Sequence, residues 1–229
     1  MINFGPIPLA HKFIGTLLAG ILFSGDLQAS TGSKQQLDFR VYLEDREIGY
    51  HRVELNHSQQ ATDVRVEAAF DVKLLFITAF SYRHQARERW NGHCLETVET
   101  ETDYGGKPLF VRSEITDDGL MIVSEEQQLT LPGCVRSYAY WDLERLRSGS
   151  LLNTQSGEYQ QVALEAQGIK PLRVGEIEIR AQSYRLQTEE GEISLWYGED
   201  QQWLGLQTRV RGDRILSYIN EAIDVNAQS

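Results

Sequence analysis

Positive charge is scarce in this chain. Lys and Arg number 22 against 33 Asp and Glu, a net charge of -11. A surface of that sign repels phosphate backbones and anionic headgroups, so nucleic acid is excluded as a partner. Cysteine is nearly absent: only Cys94 and Cys134 occur, and with the few histidines they show no zinc-finger or thioredoxin-like spacing. No cofactor and no metal are therefore expected. The G-x-S-x-G elbow of serine hydrolases is missing, as is a glycine-rich phosphate loop ahead of a helix, so neither serine hydrolysis nor nucleotide binding has a motif. No internal repeat and no low-complexity tract occurs. Disorder is excluded for the bulk, because 41% hydrophobic and 24% charged residues are ordinary globular proportions.

Long apolar runs are also lacking. The longest, Phe13 to Phe23, follows His11 and Lys12 and ends at Ser24-Gly25-Asp26. It falls short of the roughly 20 residues that span a bilayer. With Leu27-Gln28-Ala29 behind it, this is the layout of a secretory signal peptide over 1–29. An uncleaved anchor or a buried strand is the alternative. The expected destination is the periplasm, with secretion beyond it open, and the protein is not expected to be integral to a membrane. No cysteine lies near the cut to carry a lipid. In an oxidising compartment Cys94 and Cys134 can form a disulfide; otherwise they are two small buried hydrophobes. Residues 30–36 read as a flexible leader, 37–222 as a single β domain, and 223–229 as a tail.

Alternation with period two dominates the remainder. Leu37, Phe39, Val41 and Leu43 point one way, and Asp38, Arg40, Tyr42 and Glu44 the other. Further strands are expected over Ile48 to Leu55, Val64 to Val72, Leu109 to Ile115, Leu120 to Leu131, Tyr159 to Leu164, Glu176 to Gln187, Ile193 to Tyr197, Trp203 to Val210 and Ile215 to Asn220. Asn91-Gly92 suits a two-residue hairpin turn, since both positions tolerate positive φ. That turn pairs Trp90 with His93, Arg87 with Glu96 and His84 with Glu99. Trp141 to Arg147 reads as a short helix stopped by Ser148-Gly149-Ser150. About ten strands with short turns imply one long antiparallel sheet, strongly curved into a half-open or closed barrel, with a short helix-bearing crossover.

Residues from about Leu37 to Ile219 resemble an uncharacterised family of exported bacterial β-rich proteins, a domain of unknown function. The segments that carry the resemblance are Ile48-Gly49-Tyr50-His51; Tyr82-Arg83-His84 with Glu88 and Trp90; Tyr140-Trp141; Leu151 to Gly157; and Leu195-Trp196-Tyr197 before Trp203-Leu204. The tail pattern is similar to a related periplasmic family of unknown role. The resemblance implies an exported β-rich fold and brings no activity and no catalytic residues.

Two groups of side chains are candidates for chemistry. In the hairpin register above, His84, Glu88, His93 and Glu99 share one polar face. It could supply a general base or ligands, or be a solvated, ion-paired face. Tyr138, Tyr140 and Trp141, with the polar segment around Asn153 and Gln155, could line a ligand pocket, or could plug one end of the curved sheet. Cys94 beside a histidine lacks the surroundings of a thiol nucleophile. The leading function is binding or carrying an apolar or amphipathic small molecule, such as a lipid, in the periplasm. The alternatives are a non-catalytic envelope interaction or assembly factor with a protein partner, and a hydrolase using the His/Glu face; catalysis is the weaker expectation. A membrane β-barrel conflicts with the mid-strand charges Glu67, Arg87 and Glu178.

Overall fold

The computed structural model describes residues 32–74, 77–210 and 212–222. The expected signal peptide over 1–29, the first part of the leader and the tail over 223–229 lie outside the described residues. Eight strands come first: β1 Ser33–Leu43, β2 Arg46–His57, β3 Ala61–Leu74, β4 Ile77–Asn91, β5 Cys94–Tyr104, β6 Lys107–Thr116, β7 Gly119–Ser124 and β8 Gln128–Leu131. A crossover follows, with the one-turn helix α1 Leu143–Leu146 and the small hairpin β9 Ser150–Leu152 and β10 Tyr159–Gln161. The chain then continues through β11 Ala163–Val174, β12 Ile177–Gln187, β13 Glu192–Tyr197, β14 Trp203–Val210 and β15 Arg214–Asn220.

Thirteen strands form one antiparallel sheet in the order β11-β12-β13-β14-β15-β1-β2-β3-β4-β5-β6-β7-β8. The last strand therefore pairs with the first, with Phe39 opposite Asn220 and Leu43 opposite Leu216. The two meanders meet in mid-sheet, and β8 and β11 are left as edges. The sheet is not closed, but it curls around its own crossover. Val135, Leu143, Leu146 and Leu151 of that segment share one apolar cluster with Phe39 and Val64 on one side and Leu186 and Leu195 on the other.

Alternation explains the two faces. On β4, His84, Ala86, Glu88 and Trp90 are buried while Arg83, Gln85, Arg87 and Arg89 are exposed. The outer arginines pair across strands, Arg52 with Asp38 at 2.6 Å, Arg83 with Asp71 at 2.9 Å and Arg89 with Asp63 at 2.9 Å. Such exposed pairs contribute about 0–1 kcal/mol each and mainly hold register.

A second apolar layer lies on the opposite face. β12 pairs with β13 only from Gln182 to Gln187, so the β11–β12 hairpin runs on past it. Its free end folds back, packing Leu172, Val174 and Ile179 on Trp196, Ile219 and Tyr42. Gly205 permits this approach: a Cβ there would sit 2.4 Å from Leu172 Cδ2 and 2.7 Å from the Tyr218 carbonyl oxygen. The Trp196 indole N–H donates to the Lys170 carbonyl at 3.1 Å, and the Gly175 N–H to Asp45 at 2.9 Å.

Several boundaries differ from the sequence expectation. β1 starts at Ser33, inside the segment read as leader, because Ser33 to Gln36 pair with Glu54 to His57. The expected strand from Leu120 to Leu131 is two strands, separated by a turn in which the Ser124 N–H donates to the Gln127 carbonyl at 2.9 Å. Most of β11 had no expectation, since Gly168 and Pro171 interrupt any pattern; an edge strand tolerates both. The helix is shorter than Trp141 to Arg147, because the Asp142 carboxylate caps it by accepting from the Glu144 and Arg145 N–H groups.

Candidate functional site

Register across β2, β3 and β4 creates a hollow on the inner face. His51, Ala68 and His84 form one cross-strand row, and Val53, Val66 and Ala86 a neighbouring row. Ala68 and Ala86 are short where the surrounding inward side chains are long, so the face dips there. The crossover passes opposite. Between them lies a cavity of about 270 Å³. Wider hollows on the outer face, such as the one of about 660 Å³ around Arg87, Arg89 and Arg112, are troughs between exposed, ion-paired side chains.

Tyr138, Tyr140, Trp141, Asn153 and Gln155 all line the 270 Å³ cavity, and so do His84 and Glu88. The structure thus joins the aromatic segment to half of the expected polar face. It separates His93 and Glu99 from that face, and this corrects the hairpin register. The turn residues are Gly92, at φ +56°, and His93, so Asn91 pairs with Cys94 and not Trp90 with His93. A bulge between Arg89 and Trp90 then brings Thr102 opposite His84 and Glu99 opposite Arg87. His93 is exposed in the turn, and Glu99 points outward between Arg87 at 3.7 Å and Arg112 at 3.8 Å. An Asn-Gly pair signals a hairpin but not which pair of residues occupies its centre.

Sequence reasoning missed five further lining residues: His51, Tyr82, Gln160, Trp203 and Tyr218. Three of these, His51, Tyr82 and Trp203, fall in the segments that carry the family resemblance, which was the available signal. Gln160 and Tyr218 carry none, since their place depends on β10 and β15 meeting the inner face.

Several polar groups in the cavity are held by local contacts. His84 Nδ1 lies 2.8 Å from Thr102 Oγ1. Tyr82 donates to Gln155 Oε1 at 2.9 Å, and Tyr138 to Gln160 Oε1 at 2.6 Å. Gln160 donates in turn to Glu158 and to Glu190, an exposed carboxylate at the rim. Glu88 accepts from the Trp90 indole N–H at 2.8 Å. Behind that tryptophan the Arg145 guanidinium sits in the corner between two perpendicular rings, 4.7 Å from the Trp90 ring centroid and 4.3 Å from that of Trp141. It also pairs with Asp142 and donates to the Gly92 carbonyl at 2.6 Å.

Burial pushes His51, His84, Glu88 and the cavity tyrosines toward their neutral forms. His84 is held down to about 4 by burial. His51 is held down to about 3 by burial first and by His84 second. Burial raises Glu88 to about 7, against the opposing pull of the Trp90 N–H and Arg145. The Tyr82, Tyr140 and Tyr218 phenols are all raised by burial, and Tyr138 reaches about 12.

Cys94 and Cys134 are joined, with Cα atoms 4.9 Å apart. The bond and the Leu95 N–H to Val135 carbonyl contact at 2.9 Å fasten the start of the crossover to β5. The cavity wall formed by Tyr138 to Trp141 begins four residues later. Among the described residues no group of three or more His, Cys, Asp or Glu could hold a metal ion, and no helix is long and apolar enough to cross a membrane.

A family model described as a domain of unknown function (DUF6134) matches residues 39–218. A comparison with curated proteins finds no match. Among solved structures, a β-barrel-like protein of domain of unknown function DUF1849 from Brucella abortus superposes with a TM-score of 0.56. It is 9% identical, and the match covers 83% of this chain and 95% of that one. At that identity the likeness concerns the fold alone.

Proposed function

Since the chain belongs to the DUF6134 family, a domain of unknown function, we propose its role from its own cavity: it binds or carries one small amphipathic molecule in the periplasm. One observation carries this reading. The curled sheet and the crossover line an aromatic-walled space onto which polar atoms of otherwise buried side chains open without a protein partner among the described residues. Glu88 and His84 are each 8% exposed. Each uses one polar atom in a hydrogen bond within the protein, and the second, Glu88 Oε1 or His84 Nε2, has no partner among the described residues. A pocket with apolar walls and a few placed polar groups is the usual form of a small-molecule site. The periplasmic setting rests on the N-terminal pattern of the sequence, and a disulfide between the only two cysteines agrees with an oxidising compartment.

The test is native mass spectrometry of the mature protein purified from the periplasm, beside an Ala86→Leu variant. Ala86 lies on the cavity floor, and three added carbons there occupy the binding space. The expected result is an added mass on the native protein that solvent extraction removes and that the variant lacks. A bare mass for both, together with a variant destabilised by the ~1–3 kcal/mol typical of overpacking a filled core, would refute the reading.

A further inference from the structure

Resting on that binding role, we propose that the ligand is an uncharged, hydroxyl-bearing ring of about the size of one sugar or cyclic polyol. Three classes of occupant meet obstacles that this one avoids.

An anion finds no counter-charge. Among the described residues no lysine or arginine lines the cavity, and the one deeply buried carboxyl is that of Glu88. The nearby Arg145 is covered by two tryptophans and engaged with Asp142 and Gly92. A fatty-acid carboxylate or a phosphate would add negative charge beside a carboxyl group with no cation to receive it.

A cation fares no better. The two imidazoles facing the cavity, His51 and His84, are kept neutral by burial, and the same desolvation acts on a ligand ammonium group. The buried Glu88 carboxyl already accepts from an indole and lies near a guanidinium.

A plain hydrocarbon leaves too much unsatisfied. His51, Tyr140 and Tyr218 line the cavity, and their side-chain polar atoms have no hydrogen-bond partner among the described residues; Glu88 Oε1 and His84 Nε2 are in the same condition. These atoms are not sealed by packing. Among the described residues, Arg145 Nε is the one fully buried side-chain polar atom without a partner. The others therefore face the cavity space, where water or a ligand hydroxyl can reach them. Filling that space with alkyl groups would strand each of these atoms without a partner, a desolvation penalty with nothing to offset it. Hydroxyl groups both donate and accept, so they can meet neutral imidazoles, phenols and a carboxyl in either protonation state without any charge on the ligand.

The walls favour a ring. The Tyr140 and Trp203 rings lie 5.5 Å apart and tilted, and Tyr82 stacks with His84 at 6.1 Å. Aromatic rings thus line the cavity beside the polar atoms, the combination that an aliphatic ring with hydroxyl groups at its edge matches. A volume of about 270 Å³ is just below the ~300–1,000 Å³ of pockets for drug-sized ligands, which suits one ring and not a chain of them.

The experiment uses ligand-stripped mature protein and four probes: a mixture of neutral hexoses with myo-inositol, a neutral oligosaccharide, sodium octanoate, and choline. Saturation-transfer NMR reads contact and heteronuclear titration reads affinity. At least one uncharged ring is expected to receive saturation on its C–H protons. That signal should disappear in Ala86→Leu, and affinity should fall on the order of tenfold in His51→Phe, which keeps the ring and removes its nitrogens. Near-UV circular dichroism confirms that both variants are folded. Equal affinity for the free ring and the oligosaccharide identifies a free sugar or polyol; tighter binding of the oligosaccharide identifies the end of a glycan. Binding of octanoate or choline without any hydroxylated ring overturns the ligand class and leaves the binding role standing, as does a native adduct that proves to be an acyl chain or an amine. Protein that binds no probe and carries no adduct removes both.

Discussion

Replacing Glu88 by glutamine tests the electrostatics of the cavity most directly. The side chain is 8% exposed, and burial lifts its carboxyl from 4.5 to about 7. Between those values the unfolded chain has released its proton while the folded chain still holds it. Stability from this group is therefore present below pH 4.5 and is lost as pH rises to about 7. A difference of roughly 2.5 pKa units corresponds to about 3 kcal/mol. His51 and His84 act in the opposite sense. Their folded values, about 3 and about 4, lie below the ordinary 6.5, so their contribution is full above pH 6.5 and is lost as pH falls. Both histidines are common to the native and variant proteins and cancel in the comparison. Glutamine keeps an oxygen for the Trp90 indole. Urea unfolding followed by tryptophan fluorescence, run on ligand-free protein from pH 4.5 to 7.5, should show Glu88→Gln gaining about 3 kcal/mol relative to the native protein across that range. A constant offset at all pH values would mean that Glu88 is not desolvated as the geometry requires.

Two further perturbations probe how the cavity is held. The disulfide closes a sequence separation of 40, so Cys94→Ser with Cys134→Ser should lower stability in urea by about 4 kcal/mol; a loss under 1 kcal/mol would show that packing alone holds the crossover in place. Gly205→Ala should cost about 1–3 kcal/mol through overpacking against Leu172 and the Tyr218 carbonyl and should speed hydrogen exchange of the Trp196 indole N–H and the Gly175 amide. Adding Leu172→Ala removes the obstructing methyl, so the alanine at 205 should then cost less than it does alone; equal costs in both backgrounds would refute the contact.

The fold class was legible because strand alternation is a local property. Leu37, Phe39 and Val41 against Arg40, or His84, Ala86 and Glu88 against Arg83, Gln85 and Arg87, can be assigned to faces from their order along the chain, and the structure keeps them there. The aromatic stretch Tyr138 to Trp141 and the polar turn at Asn153 to Gln155 were likewise visible as local concentrations of side chains, and both line the cavity. What failed was the polar face: one bulge at Arg89 and a turn centred on Gly92-His93 sent His93 and Glu99 to solvent.

By itself the sequence determined which residues alternate, where most turns fall, and that a curved antiparallel sheet with a helix-bearing crossover would result. It also determined the acidic net charge of the chain. Only the tertiary structure decided that the sheet stays open, that β15 lies against β1, and that His51 of β2, Ala68 of β3 and His84 of β4 share one row. The physical reason is that side-chain direction repeats every two residues within a strand. Register between strands is set elsewhere, by turns, bulges and pairings that join residues as distant as Phe39 and Asn220. A cavity is a property of register: two alanines make a floor only when their strands align them.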